Sequence, residues 1–189
     1  MKEEEIEKRL SALERAISVR PAAGSGYDSH RFADYNKDLV IGGVKIPGER
    51  GLESHSDGDV LCHAVIDALL GACSLGDIGT WFPDTDERYK GADSTALLRR
   101  TAGMIAEKGA EISSIDATII AERPKMAPYR DSMRKNVAEC CGIGADMVSI
   151  KAKTNERMGF TGRGEGIAVI AAAALLIPKG GKGEVELDS

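Results

Sequence analysis

Apolar positions along the chain switch between a helical and a strand rhythm, and the switches divide it into elements. In residues 3–19, Ile6, Leu10, Leu13 and Ile17 are spaced four, three and four apart, which makes one helical stripe. It is too short for a stable isolated coil. Pro21-Ala22-Ala23-Gly24 is expected to break it, so residues 1–23 read as a helical appendage. A strand follows at 25–32. Residues 38–47 read as a hairpin, with Leu39-Val40-Ile41 and Val44-Lys45-Ile46 joined by a Gly42-Gly43 turn. After a loop at 48–54 comes a helix over 57–73. It carries Val60, Ala64, Leu69 and Ala72 at helical spacing, with Ser56 as its expected N-cap.

Residues 74–93 are rich in Gly, Asp and Pro and read as a long loop, a length that marks a functional or a disordered segment. A helix over 94–108 stops at Gly109, a strand covers 112–121, and a third helix runs over 129–141 to Gly142. Residues 147–154 alternate, with Val148, Ile150 and Ala152 on one face. Residues 167–177 are continuously apolar and predict a strand buried on both sides. This order lacks the strict alternation of a doubly wound fold, so the expected class is α+β with one mixed sheet and no internal repeat. The expected division is a domain over 24–178 and a flexible tail over 179–189.

Composition narrows the function. A chain of 189 residues builds one core and not two. Aromatic residues are only 4%, so small aliphatic side chains must fill it. A net charge of −5, with no local run of Lys and Arg, excludes a nucleic-acid face and confines any phosphate-binding cations to a pocket. Cys62, Cys73, Cys140 and Cys141 form no C-x-x-C pair and read as reduced side chains of a cytoplasmic protein. The longest apolar run, 166–178, falls short of the ~20 residues that span a bilayer. The start Met1-Lys2-Glu3-Glu4-Glu5 is more acidic than a secretory or transit signal.

All 3 histidines lie in one stretch, at His30, His55 and His63. Asp28 and His30 share a strand face, and Asp59, His63 and Asp67 fall at i, i+4 and i+8 of a helix. Two imidazoles and a carboxylate suit a zinc ion with an open fourth position, with Asp59 or Asp67 behind His63. Spacing alone favours scattered, hydrogen-bonded histidines over a metal set. Residues 51–59 offer either an anion site at a helix start or a plain cap. In Gly76-Asp77-Ile78-Gly79 and Phe82-Pro83-Asp84-Thr85-Asp86 the carboxylates orient a ligand or simply make turns. The glycines of residues 159–166 free the backbone to approach a phosphate beside Glu156, or make a plain hairpin; no P-loop or dinucleotide fingerprint is present.

Taken in order, Gly26-Tyr27-Asp28-Ser29-His30-Arg31-Phe32, Ser54-His55-Ser56-Asp57-Gly58-Asp59-Val60, the two motifs of the long loop and Gly159-Phe160-Thr161-Gly162-Arg163-Gly164-Glu165-Gly166 resemble the 2-C-methyl-D-erythritol 2,4-cyclodiphosphate synthase family. The similarity runs from residue 24 to 177.

The resemblance implies a four-stranded mixed sheet with helices on one side, assembled as a homotrimer with active sites between subunits. It implies a lyase of non-mevalonate isoprenoid biosynthesis, acting on 4-diphosphocytidyl-2-C-methyl-D-erythritol 2-phosphate and releasing CMP. Asp28, His30 and His63 would bind Zn²⁺, and Glu156 Mg²⁺ or Mn²⁺. His55 and Thr154 would stabilise the transition state, and Ser56 would contact phosphate. Asp77, Ile78 and Gly79, with Phe82, Pro83, Asp84, Thr85 and Asp86, would meet the erythritol part. Ala121, Pro124, Lys125, Met126 and Ala127 would form the cytidine pocket. Lys153, Asn155, Phe160 and Arg163 would line the diphosphate end, and Arg163 and Glu165 would also face the three-fold axis. Lys153 stands where the family commonly has threonine, and Ala127 is smaller than its usual counterpart. The same ligands would also serve a phosphohydrolase, or a non-catalytic trimeric binding protein that had kept them.

Overall fold

The computed structural model describes residues 3–179; side chains of residues 3, 4, 12 and 15–17 lie outside that description, as does the expected tail beyond Lys179. Helix α1, Glu3–Ser18, leads directly into strand β1, Val19–Arg31. The hairpin is β2, Asp38–Ile41, and β3, Val44–Arg50. Helix α2, Val60–Ala72, is followed by the single turn α3, Ile78–Trp81, and then by α4, Ser94–Glu107. Strand β4, Glu111–Ile120, helix α5, Arg130–Cys141, strand β5, Val148–Lys153, the short helix α6, Gly159–Gly162, and strand β6, Gly166–Pro178, complete the chain.

Four strands form one mixed sheet in the order β1-β6-β4-β5, while β2 and β3 pair separately. β6 is antiparallel to β1 and to β4, and β4 is parallel to β5. Hence β1, β4 and β5 all run the same way and end at the same edge of the sheet. Helices α2, α4 and α5 pack on one face, giving the expected single-domain α+β fold.

Two glycines let the central helix lie directly on the sheet. A Cβ on Gly24 would sit 2.1 Å from the Ala68 carbonyl oxygen, and one on Gly26 would sit 2.0 Å from that of Ala64. Ala64, Ala68 and Ala72 present the matching small face of α2. Behind them Val60, Leu61, Val65, Ile66, Leu69 and Leu70 are fully buried, contributing together on the order of 10 kcal/mol before chain entropy. This close contact carries His63 of α2 up to Asp28 and His30 of β1.

Several local expectations are corrected. Residues 21–24 do not break the chain; they belong to β1, which starts at Val19 opposite Pro178. A domain boundary at residue 23 therefore cuts through a strand. β1 is an edge strand, where a missing proline N–H is tolerated. The N-cap of α2 is Asp59, not Ser56. Its fully buried carboxylate accepts from the amides of Leu61 and Cys62, and also from Gly42 (2.8 Å) and Gly43 (2.6 Å), pinning the hairpin turn to the helix start. Gly42 and Gly43 both have positive φ, 58° and 68°, as a two-residue turn of this type requires. The loop over 74–93 contains α3 and a turn of 3₁₀ helix at Glu87–Tyr89. Within this single chain β6 is not buried on both sides. Ile167, Val169, Ala171, Ala173 and Leu175 are buried against the helices, whereas Ile170 and Leu176 are 50% and 36% exposed.

A candidate metal centre and its cavity

Asp28 and His30 project toward α2 because they lie two apart on a strand, and both meet His63 there. The Asp28 carboxylate oxygen Oδ2 lies 2.9 Å from His63 Nδ1 and 3.0 Å from His30 Nε2. The two ring nitrogens are 3.2 Å apart. Three donor atoms thus face one point. Tetrahedral zinc with bonds of about 2.0–2.2 Å would hold its ligand atoms about 3.3 Å apart, so the triad fits a divalent cation with movements of a few tenths of an ångström.

Burial alone would raise the Asp28 carboxyl; hydrogen bonds and charge from His30 and His63 together outweigh it and hold it well below the usual carboxylate range. Burial likewise pushes the His63 imidazole down, but the hydrogen bond and charge of Asp28, with the charges of Asp59 and Asp57, raise it overall.

The far side of His63 corrects the expected partner. Neither Asp59 nor Asp67 holds it: Asp59 caps the helix, and Asp67 accepts from the Ile78 amide at 2.7 Å. His63 Nε2 instead lies 2.9 Å from Ser94 Oγ and 3.1 Å from Ser56 Oγ. The Ser94 hydroxyl donates to Asp57 Oδ1 at 2.5 Å, and Asp57 Oδ2 accepts from the Ser94 amide at 3.1 Å. Because Ser94 gives its own proton to Asp57, it accepts one from Nε2. With Nε2 held as a donor, it is Nδ1, the nitrogen facing Asp28 and His30, that can give up its proton and offer a lone pair, as metal binding requires.

The triad opens into a cavity of about 480 Å³ that also takes in Ser54, His55, Ser56, Ile78, Gly79, Phe82 and Asp84. His55 Nε2 is buried with no hydrogen-bond partner within the described chain, a donor or acceptor left for a ligand. Lys37 binds Ser54 Oγ and the Ser56 carbonyl, each at 3.0 Å, and steadies this loop. Asp77 caps α3, its Oδ1 accepting from the Thr80 amide and hydroxyl, and Asp86 accepts from the Arg88 amide at 2.9 Å. Asp77, Pro83, Thr85 and Asp86 do not line this cavity.

The remaining expected residues gather elsewhere. Pro124 and Lys125 line a second concavity of about 1070 Å³ with Glu122, Arg123, Arg157 and Arg163. The Thr154 hydroxyl donates to Glu156 Oε1 at 2.7 Å. Ala121 and Met126 are buried in the core, while Lys125, Ala127, Lys153 and Asn155 are exposed. Phe160 borders a third concavity beside His30 and Phe32, and Arg163 pairs with Glu165 at 2.6 Å. None of residues 121–127 or 153–156 lines the cavity of the triad.

Lys37, Asp57 and Ser94 are site residues that sequence reasoning missed. Asp57 and Ser94 stand 37 positions apart with no spacing to join them.

A sequence profile described as the YgbB family matches residues 22–176. A 2-C-methyl-D-erythritol 2,4-cyclodiphosphate synthase of Pseudomonas aeruginosa (strain UCBPP-PA14) is 58% identical over 153 residues, covering 81% of this chain and 97% of that protein. One of Trichlorobacter lovleyi is 55% identical over 156 residues, covering 82% and 98%. Among solved structures, an IspF of Plasmodium falciparum in complex with CDP superposes with a TM-score of 0.72 at 37% identity, covering 84% of this chain and 97% of its own. The bifunctional IspDF of Campylobacter jejuni gives a TM-score of 0.81 at 40% identity over 85% of this chain, which spans 43% of that longer protein.

Proposed function

The chain belongs to the YgbB family, whose members it matches include 2-C-methyl-D-erythritol 2,4-cyclodiphosphate synthases at 55–58% identity, and from that premise we propose that it carries out the same reaction in non-mevalonate isoprenoid biosynthesis. The substrate is 4-diphosphocytidyl-2-C-methyl-D-erythritol 2-phosphate. An oxygen of its 2-phosphate bonds to the β-phosphorus, the bond from that phosphorus to the α-phosphate oxygen breaks, and CMP leaves as the ring closes. The observation that carries this reading is the convergence of Asp28, His30 and His63 beside the orphaned His55 nitrogen in one cavity.

Asp28, His30 and His63 would hold Zn²⁺. Glu156, an exposed carboxylate next to Thr154, suits Mg²⁺ or Mn²⁺, which commonly takes one or two carboxylates together with substrate phosphates. Bound there, such ions supply the positive charge that phosphoryl transfer needs and that an acidic chain lacks. His55 Nε2 donates to a phosphate oxygen as charge develops, Thr154 stabilises the same charge, and Ser56 orients the phosphate. Asp77, Ile78, Gly79 and the loop over 82–86 hold the erythritol. Ala121, Pro124, Lys125, Met126 and Ala127 hold the cytosine, and Lys153, Asn155, Phe160 and Arg163 the diphosphate.

The working form is a cytoplasmic homotrimer with each site shared between neighbours. The exposed apolar outer face of β6 and the split of site residues between separate concavities support this. Among the described residues no helix is long and apolar enough to cross a membrane. Residues 1–23 remain assigned as an appendage outside the catalytic domain, except that residues 19–23 extend its first strand. Incubating the purified protein with the cytidylylated substrate should yield cyclic diphosphate and CMP. Release of inorganic phosphate without a ring would establish the phosphohydrolase instead.

A further inference from the structure

Glu122 lies inside the expected cytidine segment but has no part in the ligand contacts assigned above. Its Oε1 accepts from two backbone amides at once, Asn155 N at 3.0 Å and Arg157 N at 3.0 Å. These amides flank Glu156. They converge because Glu156 and Arg157 are both left-handed, with φ of 50° and 64°, a conformation that residues other than glycine seldom adopt. A left-handed residue turns neighbouring N–H groups to one side and makes a concavity for an anion. Here the anion is the chain's own carboxylate.

The rest of the turn cannot relax independently. A Cβ on Gly162 would fall 2.2 Å from the Arg157 carbonyl carbon, so α6 presses on the backbone of Arg157. The Asn155 side chain donates to the Met158 carbonyl at 2.8 Å, and the Ala121 amide donates to the Lys153 carbonyl at 3.0 Å. The last of these ties the two segments at their strand ends, and Glu122 ties them again at the turn itself.

We propose that Glu122 is a positioning residue. It holds the 155–157 turn in its left-handed form, presents the Glu156 carboxylate to the second metal, and couples that carboxylate to the segment that receives the pyrimidine. This rests on the reading of Glu156 as a metal ligand. The role belongs to an acceptor oxygen in a fixed place, so glutamine should substitute for Glu122 and alanine should not.

The test uses the full chain with Mn²⁺ and CDP. Mn²⁺ affinity is read by electron paramagnetic resonance, and exchange of the Asn155 and Arg157 amides by NMR. Glu122→Ala should weaken Mn²⁺ binding by about 10- to 100-fold, the range that loss of such a supporting contact costs, and should speed exchange at both amides. Zinc content should not change, since the triad lies in a different cavity. Glu122→Gln should retain most of the Mn²⁺ affinity and both protected amides. Wild-type Mn²⁺ affinity in Glu122→Ala, or a Gln variant as damaged as the Ala variant, would overturn the inference. Glu156→Gln separates the two levels. If it loses Mn²⁺ while Glu122→Ala keeps it, only the positioning role fails. If it keeps Mn²⁺, the ligand assignment fails and the inference falls with it.

Discussion

Replacing Ser94 by alanine removes one oxygen, and the structure says what that oxygen does. It accepts from His63 Nε2 at 2.9 Å and passes its own proton to Asp57 at 2.5 Å. Ser94 is fully buried, so no bulk water stands ready to replace it. The helix it begins should survive, because the cap of α4 is Asp93, which accepts from the Thr95 amide at 2.8 Å. The effect therefore falls on His63: its Nε2 keeps only Ser56 Oγ, at 3.1 Å, to fix the tautomer and tilt of the ring from that side. Loss of a contact of this kind costs roughly 10- to 100-fold in metal affinity. That corresponds to about 1.4–2.8 kcal/mol. The surviving Ser56 contact places the single variant near the lower end, and Ser56→Ala/Ser94→Ala together near the upper. Zinc affinity should be measured by competition with a chromophoric chelator, with the Co²⁺-substituted protein as a spectroscopic check on ligand geometry. His63→Ala sets the floor, with most of the zinc gone and the fold kept. Wild-type affinity in the double variant would show that Ser94 and Asp57 do not orient the ligand.

Cytidine nucleotides should protect the protein against heat, by about 2.7 kcal/mol at a hundredfold excess over Kd, whereas equal protection by ADP would mark a generic phosphate site. Deleting residues 1–18 should leave kcat nearly intact, since sheet pairing starts at Val19 and the α1 side chains Ile6, Leu10 and Leu13 are 49%, 56% and 62% exposed; a large loss with assembly preserved would refute it. Asp28→Ala and Glu156→Gln, each inactive alone, should regain about a quarter of wild-type sites when unfolded together in equal amounts and refolded, because a shared junction then needs one intact half from each neighbour. A co-refolded mixture that stays inactive would place the whole site within one chain.

How much was legible in the sequence depends on the range of the interaction that decides each feature. Of the triad, spacing made only the pair legible, since period two puts Asp28 and His30 on one strand face; joining them to His63 of α2 took the family resemblance. Hairpin and helices were legible, like the pair, from local pattern. Residues 21–24 misled because proline and glycine signal a break locally, while the sheet uses an edge position for Pro21 and the absence of a Cβ at Gly24 to seat α2. Local sequence points to Ser56 as the cap of α2, and the hairpin turn overrides it by offering Asp59 two further amides. Ser94 and Glu122 act across 31 to 35 positions, where no periodicity reaches. In β6 both faces are apolar, so the pattern could not say which one another part of the same chain covers.

That last ambiguity bears on where the chemistry happens. β1, β4 and β5 end at one edge of the sheet, which sets the triad of Asp28, His30 and His63, the 121–127 segment and Glu156 at a common level. Laterally they are separated, because β6 and β4 stand between β1 and β5. Three strand spacings of ~4.8 Å make about 14 Å, too far for adjacent phosphates of one diphosphate to touch both the triad and Glu156. In the proposed shared site the gap would close by bringing the β5 side of one chain beside the β1 side of another. The outer face of β6 gives such copies a reason to meet. Across it Tyr27 and Thr118 flank Ile170, which is 50% exposed, and Leu176 lies further along the same face, while toward the β5 edge Lys151 pairs with Asp116. An apolar strip about one strand wide, bordered by polar side chains, is suited to a shared axis more than to a broad two-fold contact. In the proposed trimer, copies turned about that axis would set β5 edges against β1 edges. On this reading, the apolar outer side of β6 and the divided active site have one cause.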